Sequence, residues 1–533
     1  MIEKACDNPL LERAPSRFKI MPKLLESKPY VFFLAAIVAF SLFAGLGSVP
    51  LFDEDEGAYS EVTREMIASG DFVTPRLNGD TFFHKPPMIY WAQAVSVGLF
   101  GLNEFALRLP CALASLVWAL MLFRFARRYY KGPVAWYAVF FMVTSLQTSI
   151  VAKAALADAF LNLFITLALF YIFDYYHEQR RRSVYLTFIY MALGFLSKGP
   201  IAILIPLVVS GFFFGLKGRW KIWLQAIFNP VGWGALLIIA LPWYVALYLQ
   251  HGPGFIDEIF FTHNVARFQT AFEGHSGSIF YYLPVILLGM LPNTAFLLKA
   301  GLRVKNLARD DLNLYLLVWF GFVLIFFSLA GTKLHHYIVY GYIPLFLFMA
   351  QVAEDIRHFV NQLIWPVGFI LVLFFLPQIA VLVQPHISDE FARLVVAGAL
   401  DNFGWGYRLA LGTALLALIV LPFVKVLSKR ARTALVGAIV LVAVQIFVVP
   451  IVGRIMQQPV KEAALIARAQ NYQVNMWQMS YHSFSVYRQG LVHKGQPASG
   501  DIVITKINKL KDVKEYTVLY QKHGIVLARI VEL

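Results

Sequence analysis

The stretch FDEDEGAYSEVTRE, Phe52 to Glu65, places Asp53, Glu54, Asp55, Glu56 and Glu61 directly behind the first of many apolar spans. Desolvation penalises charge beside hydrocarbon, so such acids mark a functional site by default. The spans themselves decide the fold class. With 59% hydrophobic, 16% aromatic and 14% charged residues over 533, and a mean hydropathy of +0.64, the chain is too apolar for a soluble globule. The expected fold is an all-α polytopic membrane protein with about 13 transmembrane helices. They fall near 29–49, 104–123, 133–150, 154–175, 184–197, 200–216, 231–250, 279–298, 312–330, 335–352, 363–384, 407–424 and 433–453. Only Lys198-Gly199-Pro200 separates the fifth from the sixth.

Orientation follows from the cations. Arg124 to Arg128, Arg180 to Arg182, Lys217 to Lys221, Arg303 to Arg309 and Lys429 to Arg432 form short basic connections that alternate with non-basic ones. By the positive-inside rule these connections, with residues 1–28, face the cytoplasm. Loop 50–103, loop 251–278, Gly331 to Lys333, loop 385–405 and the tail 454–533 then face outward. Most of the formal charge of +15 is therefore a topology signal, and nucleic acid is excluded as a natural partner. The first span reads as a retained signal anchor. Cys6 and Cys111 fall in a tail and a span, so neither a disulfide framework nor a thiolate metal site is expected. Nothing in these patterns fixes an oligomeric state.

After Arg454 the long apolar runs stop. A helix-like stretch at 460–470 and alternating strings at 500–506 and 515–520 predict a small C-terminal α/β domain on the outer face. Between it and the tail of residues 1–28 lies the membrane domain, 29–453.

The outward loops share a chemistry. Residues 53–67 show helical spacing of Tyr59, Val62, Met66 and Ile67, predicting an amphipathic helix along the membrane surface that ends at Ser69-Gly70. Phe82-Phe-His84-Lys85-Pro-Pro87 begins a second apolar helix running to Gly101, with proline in its first turn. This arrangement is expected to bring Asp55 and Lys85 to one interface. Asp158 stands at the outer end of the fourth span, where it needs a partner such as Lys153 or a task. His251, His263, Arg267, Glu273 and His275 lie in another outer loop, and Lys333, His335, His336 and Tyr337 open the tenth span.

Acids, bases and imidazoles at a membrane surface suit a lipid-linked phosphate substrate. Cations neutralise the phosphate of a leaving polyprenyl phosphate, and a carboxylate deprotonates the acceptor hydroxyl that displaces it with inversion. No Gly-rich dinucleotide or P-loop motif is present.

Phe52 to Met66, Gly70-Asp71, Phe83 to Pro87 with Tyr90-Trp91, and Arg108-Leu-Pro110 resemble the bacterial protein-mannosyltransferase-like glycosyltransferases of the GT-C fold. The nearest likeness is to the lipid A aminoarabinose transferases. Ala157-Asp158, Leu196 to Pro200, His263-Asn264 with Arg267, Glu273 to Gly277, and Ser328 to Leu334 with Tyr337 continue the family's order. The resemblance implies a polyprenyl-phosphate-linked sugar as donor, a lipid A, lipopolysaccharide or other envelope glycan as acceptor, and a site on the outer face of a bacterial inner membrane.

It also implies residue roles. Asp55, paired with Glu56, matches the catalytic carboxylate, and Asp158 the second acid of the site. Lys85, Arg267, Lys333 and Tyr337 match phosphate contacts, with Tyr59 and His275 as further substrate contacts. His84 and His263 form a candidate pair for a divalent metal such as Zn, Mg or Mn. Two departures stand out: Ala58 replaces an Arg, and His84 a Glu, in the aminoarabinose pattern. Loss of a bidentate guanidinium rearranges donor contacts. Three other readings compete: a protein hydroxyl as acceptor, a lipid-linked sugar transporter or flippase, and a non-catalytic scaffold. Bland readings of single residues also stand, such as a snorkelling Lys85 and a solvated helix start at Asp53 and Glu54.

Overall fold

A computed structural model describes residues 28–259, 277–356 and 358–532. Among these, six helices are long and apolar enough to cross a membrane: Glu104–Tyr129, Asp158–Glu178, Pro230–His251, Asp311–Leu329, Trp405–Phe423 and Lys429–Met456. A seventh arises if Val360–Phe374 and Leu376–His386, bent by 52°, count as one. The chain is a polytopic membrane protein, with fewer long spans than thirteen apolar runs imply. Several runs are broken. The 133–150 run divides into Val134–Thr144 and Leu146–Val151, and 335–352 into a 3-10 turn, His335–Gly341, and a helix, Tyr342–Gln351.

The packing follows from local chemistry. Lys198 ends the helix Arg181–Lys198; Gly199 takes φ +75°, a conformation side chains resist, and Pro200 precedes the next helix, Ile201–Leu216. The two apolar runs are thus distinct antiparallel helices. The core between spans is aromatic, with Phe125 stacked on Phe170 at 3.8 Å and Trp136 on Phe140 at 4.9 Å. At one end of the bundle the basic connections meet acids: Arg128 with Asp174 (3.1 Å), Tyr176 with Asp311 (2.6 Å) and Lys217 with Asp311 (2.5 Å).

Four helices position the site: α1 (Lys28–Phe43), α2 (Asp55–Ser69), α3 (Met88–Phe100) and α4 (Glu104–Tyr129). A two-residue hairpin, β1 (Arg76–Leu77) with β2 (Asp80–Thr81), lies between α2 and α3. α2 ends at Gly70, as its spacing predicts, but it does not lie on an open surface: Glu61, Val62 and Met66 are all buried. α3 starts only at Met88, because Phe82 to Pro87 turns outside helical geometry.

Beyond the helix Gln458–Ala469 the chain forms a five-stranded sheet of order β4-β3-β5-β7-β6, made of β3 (Val474–Met476), β4 (His493–Lys494), β5 (Ile502–Lys506), β6 (Glu515–Lys522) and β7 (Ile525–Glu532). β4, β3 and β5 are parallel; β7 and β6 continue antiparallel. The helix Ser483–Arg488, between β3 and β4, docks on α2. Loop 385–405 packs against the same sheet, where Asn508 donates to Asp389 at 2.8 Å and Lys511 pairs with Glu390 at 3.2 Å.

Candidate active site

The exposed N–H groups of a helix's first turn favour negative charge, and Asp55 and Glu56 occupy the first turn of α2. Their fates differ. Glu56 is buried and accepts from Arg108 Nε (2.8 Å) and Nη2 (2.7 Å), Phe52 N (2.7 Å) and Ala155 N (2.8 Å). Burial raises its pKa, yet the Arg108 guanidinium and the N–H donors outweigh burial and hold the carboxyl below its usual range. Arg108 also donates to the carbonyls of Leu46, Val49 and Pro50. Glu56 therefore fixes the turn, leaving the exposed Asp55 beside it as the carboxylate open to a reactant.

Asp53 faces the other way. It accepts from Ser483 N at 2.9 Å and from Ser483 Oγ, so the C-terminal helix grips the residue two before Asp55. Burial pushes its pKa up to about 7 against those hydrogen bonds, with Glu54 and Glu56 adding to the rise. The surrounding seam mixes an apolar patch, where Val486 clusters with Leu51 and Leu107, with polar contacts. Tyr487 accepts from Leu51 N (2.7 Å) and donates to Glu104 (2.9 Å), which pairs with Lys461; Ser485 donates to Asn78 at 2.7 Å.

A cavity of about 840 Å³ opens in front of Asp55. Asp53 to Glu56, Lys333, His335 and His336 line one part; Phe369, Leu373, Val444, Val448, Val449 and Val452 line another. It is a charged chamber continuous with an apolar flank. Lys333 Nζ is held by the Ala330 carbonyl at 2.7 Å.

Asp158 is buried behind this wall. It accepts from Lys198 Nζ at 2.7 and 2.8 Å and from Tyr340 OH, and His336 Nε2 stands 3.9 Å away. Lys153 is not its partner: residues 152–157 leave helical geometry, and Lys153 donates instead to Ala44 O (2.7 Å) and Gln445 Oε1 (2.6 Å). The cavity thus gathers Asp55, Glu56 and Lys333, with Asp158 reached through His336. Lys85 and Tyr59 are buried but do not line it; Tyr59 packs edge-on against Tyr90 at 6.1 Å. Tyr337 stacks instead near Lys198, whose Nζ is 5.1 Å from the ring centre. His84 lies on the Phe82 ring, 3.9 Å between centroids. Among the described residues no three His, Cys, Asp or Glu side chains converge on a metal position. His263, Arg267 and His275 lie outside the described residues.

Residues 84–245 match the family model described as dolichyl-phosphate-mannose-protein mannosyltransferase. Two relatives are each named undecaprenyl phosphate-alpha-4-amino-4-deoxy-L-arabinose arabinosyl transferase. One, from Edwardsiella ictaluri, is 32% identical over 312 residues, 57% of this chain and 56% of the relative. The other, from Aeromonas hydrophila, is 33% identical over 316 residues, 58% and 57%. The chain spans just over half the length of these curated relatives. The crystal structure of ArnT from Cupriavidus metallidurans bound to undecaprenyl phosphate superposes with a TM-score of 0.78 at 22% identity, covering 94% of this chain and 98% of that one. The chain has the ArnT fold. The apo ArnT structure gives the same result, with a TM-score of 0.75. The likeness read in the motifs is therefore found again in a family model, in relatives and in a fold.

Within the ArnT fold the least legible participants are Lys198, Tyr340 and Ser483. Lys198 carried a signal, a cation ending an apolar run at Gly-Pro, but its partner lies 40 residues away. Ser483 carried none.

Proposed function

We propose that this chain is an inverting glycosyltransferase that moves a sugar from a polyprenyl phosphate, such as undecaprenyl phosphate, to a lipid A, lipopolysaccharide or other envelope glycan. The observation that carries this reading is the cavity in which an acidic, cationic chamber continues into an apolar flank. A phosphate with a long isoprenoid tail has that amphipathic shape, and the names of the matching relatives point the same way. In the reaction an acceptor hydroxyl gives its proton to Asp55 as its oxygen bonds the anomeric carbon. The bond from that carbon to the phosphate oxygen breaks, and the leaving polyprenyl phosphate keeps the electron pair. Lys333 balances its growing charge, joined by Arg267 in the family's pattern. Glu56 and Asp158 act as positioning residues, the first through Arg108 and the second through His336 and Lys198.

The same reading assigns topology. On a count of thirteen crossings, residues 1–28 lie in the cytoplasm and the site lies on the outer face of a bacterial inner membrane. Residues 454–533 then form a soluble outer domain over the membrane domain 29–453. Lipid A and core glycolipids from cells with the intact gene, a deletion and Asp55→Asn should be compared by mass spectrometry. A mass shift of one sugar, present only with the intact protein, is expected. If every glycolipid is unchanged and a glycoprotein changes, the acceptor is a protein hydroxyl; no change in either removes the transferase reading.

A further inference from the structure

In open sheets with parallel strands, ligands bind beyond the carboxyl ends of two neighbouring strands whose onward connections leave in opposite directions. The C-terminal sheet has such a point. From β3 the chain turns toward β4 on one side, and from β5 toward β6 on the other, in the order β4-β3-β5-β7-β6. An open cleft of about 520 Å³ lies there, lined by segments that follow all three parallel strands. Trp477 and Tyr481 follow β3, Lys494 ends β4 with Gln496 just beyond, and Lys506 ends β5. Gln478, also in the wall, holds φ +51°, a left-handed conformation that is unfavourable for a non-glycine residue and that clusters at binding sites.

The lining has a definite chemistry. Two indole or phenol rings offer apolar faces, side-chain amides offer paired donors and acceptors, and two ammonium groups supply positive charge. Lys506 Nζ lies 5.2 Å from the centre of the Tyr481 ring, and Lys494 donates to Ser480 at 3.2 Å, so both cations are held near the walls. The cleft is also lined by Glu54. This residue lines the cavity in front of Asp55 as well, so a single residue borders both spaces.

We infer that the cleft is the acceptor subsite: it binds the phosphorylated sugar headgroup of the acceptor glycan and presents a hydroxyl past Glu54 toward Asp55. This rests on the glycosyltransferase reading above. Aromatic faces pack on sugar rings, the amides pair with hydroxyls, and Lys494 with Lys506 recognises phosphate. The cleft is separate from the apolar flank that suits the donor tail, as two substrates of one transfer require.

Saturation-transfer NMR on the full chain in nanodiscs tests this, with glucose 6-phosphate, glucose and inorganic phosphate as probes and empty nanodiscs as background. Glucose 6-phosphate should show transfer to its ring protons, persisting when the protein is saturated with undecaprenyl phosphate. Lys494→Gln/Lys506→Gln should lower the signal at least fivefold while undecaprenyl phosphate still binds, and Lys494→Arg/Lys506→Arg should retain it. The proposal is overturned by equal signals in wild type and the Gln variant, by glucose binding as well as its phosphate, by inorganic phosphate displacing the sugar phosphate at equal concentration, or by displacement with undecaprenyl phosphate. Failure of undecaprenyl phosphate to bind would strike the donor reading alone, since the sugar-phosphate comparison still decides the cleft.

Discussion

Asp55 and Glu56 are neighbours with opposite assignments, and hydrogen bonding separates them. Glu56 is saturated by four donors, whereas Asp55 opens to the cavity. Asp55→Asn should lower turnover by about 10²–10⁴-fold, the usual contribution of a general base, with donor binding retained; equal loss of both would refute its role as base. Behind it, Lys198→Met would leave Asp158 buried without its cation, a change that costs about 3–5 kcal/mol. A lower Tm is expected, with partial recovery in the Asp158→Asn/Lys198→Met double variant. The acids under the C-terminal helix give a pH dependence. Burial raises Asp53 to about 7 and, despite Arg64, Glu61 to about 8. The folded chain then keeps protons that the unfolded chain has released, so stability falls as pH rises through those values. His482, lowered to about 3 by burial, acts below 6.5, where the unfolded imidazole titrates. The fall in Tm between pH 6.5 and 8 should therefore shrink in Asp53→Asn/Glu61→Gln. The acidic run announced a site from sequence alone, but which acid is free and which is held depends on Arg108 and Ser483, and no local pattern encodes that.

At the scale of elements, α2 is the centre of the design. Its amphipathic spacing and its glycine stop were legible, because both are written within fifteen residues. Its surroundings were not: the spacing suggests a helix on the membrane surface, while the protein buries its polar face as well, under Ser483–Arg488. Gly57 shows why the motif has a glycine. A side chain there would meet the Asp53 carboxylate and come within 2.6 Å of Ser483 N. Gly57→Ala should pry the two helices apart, lower transfer at least tenfold and speed hydrogen exchange across Ser483–Arg488; unchanged exchange would show that the seam tolerates the extra carbon. The broken apolar runs make the same point for the spans. Hydropathy reports how apolar a segment is, and Ser145, which separates two helices of the 133–150 run, is too small a perturbation to register on it.

At the scale of the whole molecule, distant parts complete one another. Two loops expected on one side by their lack of cations, 50–103 and 385–405, both contact the C-terminal domain, an arrangement consistent with that charge pattern. The pattern could not carry the docking of that domain, which rests on single contacts between distant residues, such as Tyr487 with Leu51 and Glu104 and Val486 clustered with Leu51 and Leu107. A chain ending at Met456 should still insert in the membrane yet lose transfer by at least a hundredfold, measured in isolated membranes at equal protein. The grip of Ser483 on Asp53 spans 430 residues. A ribosome must therefore reach Ser483 before the first loop can be locked, and a copy that stops short of it lacks the contact that holds Asp53. In the proposed transferase, the order of synthesis itself withholds activity until that distant serine has been made.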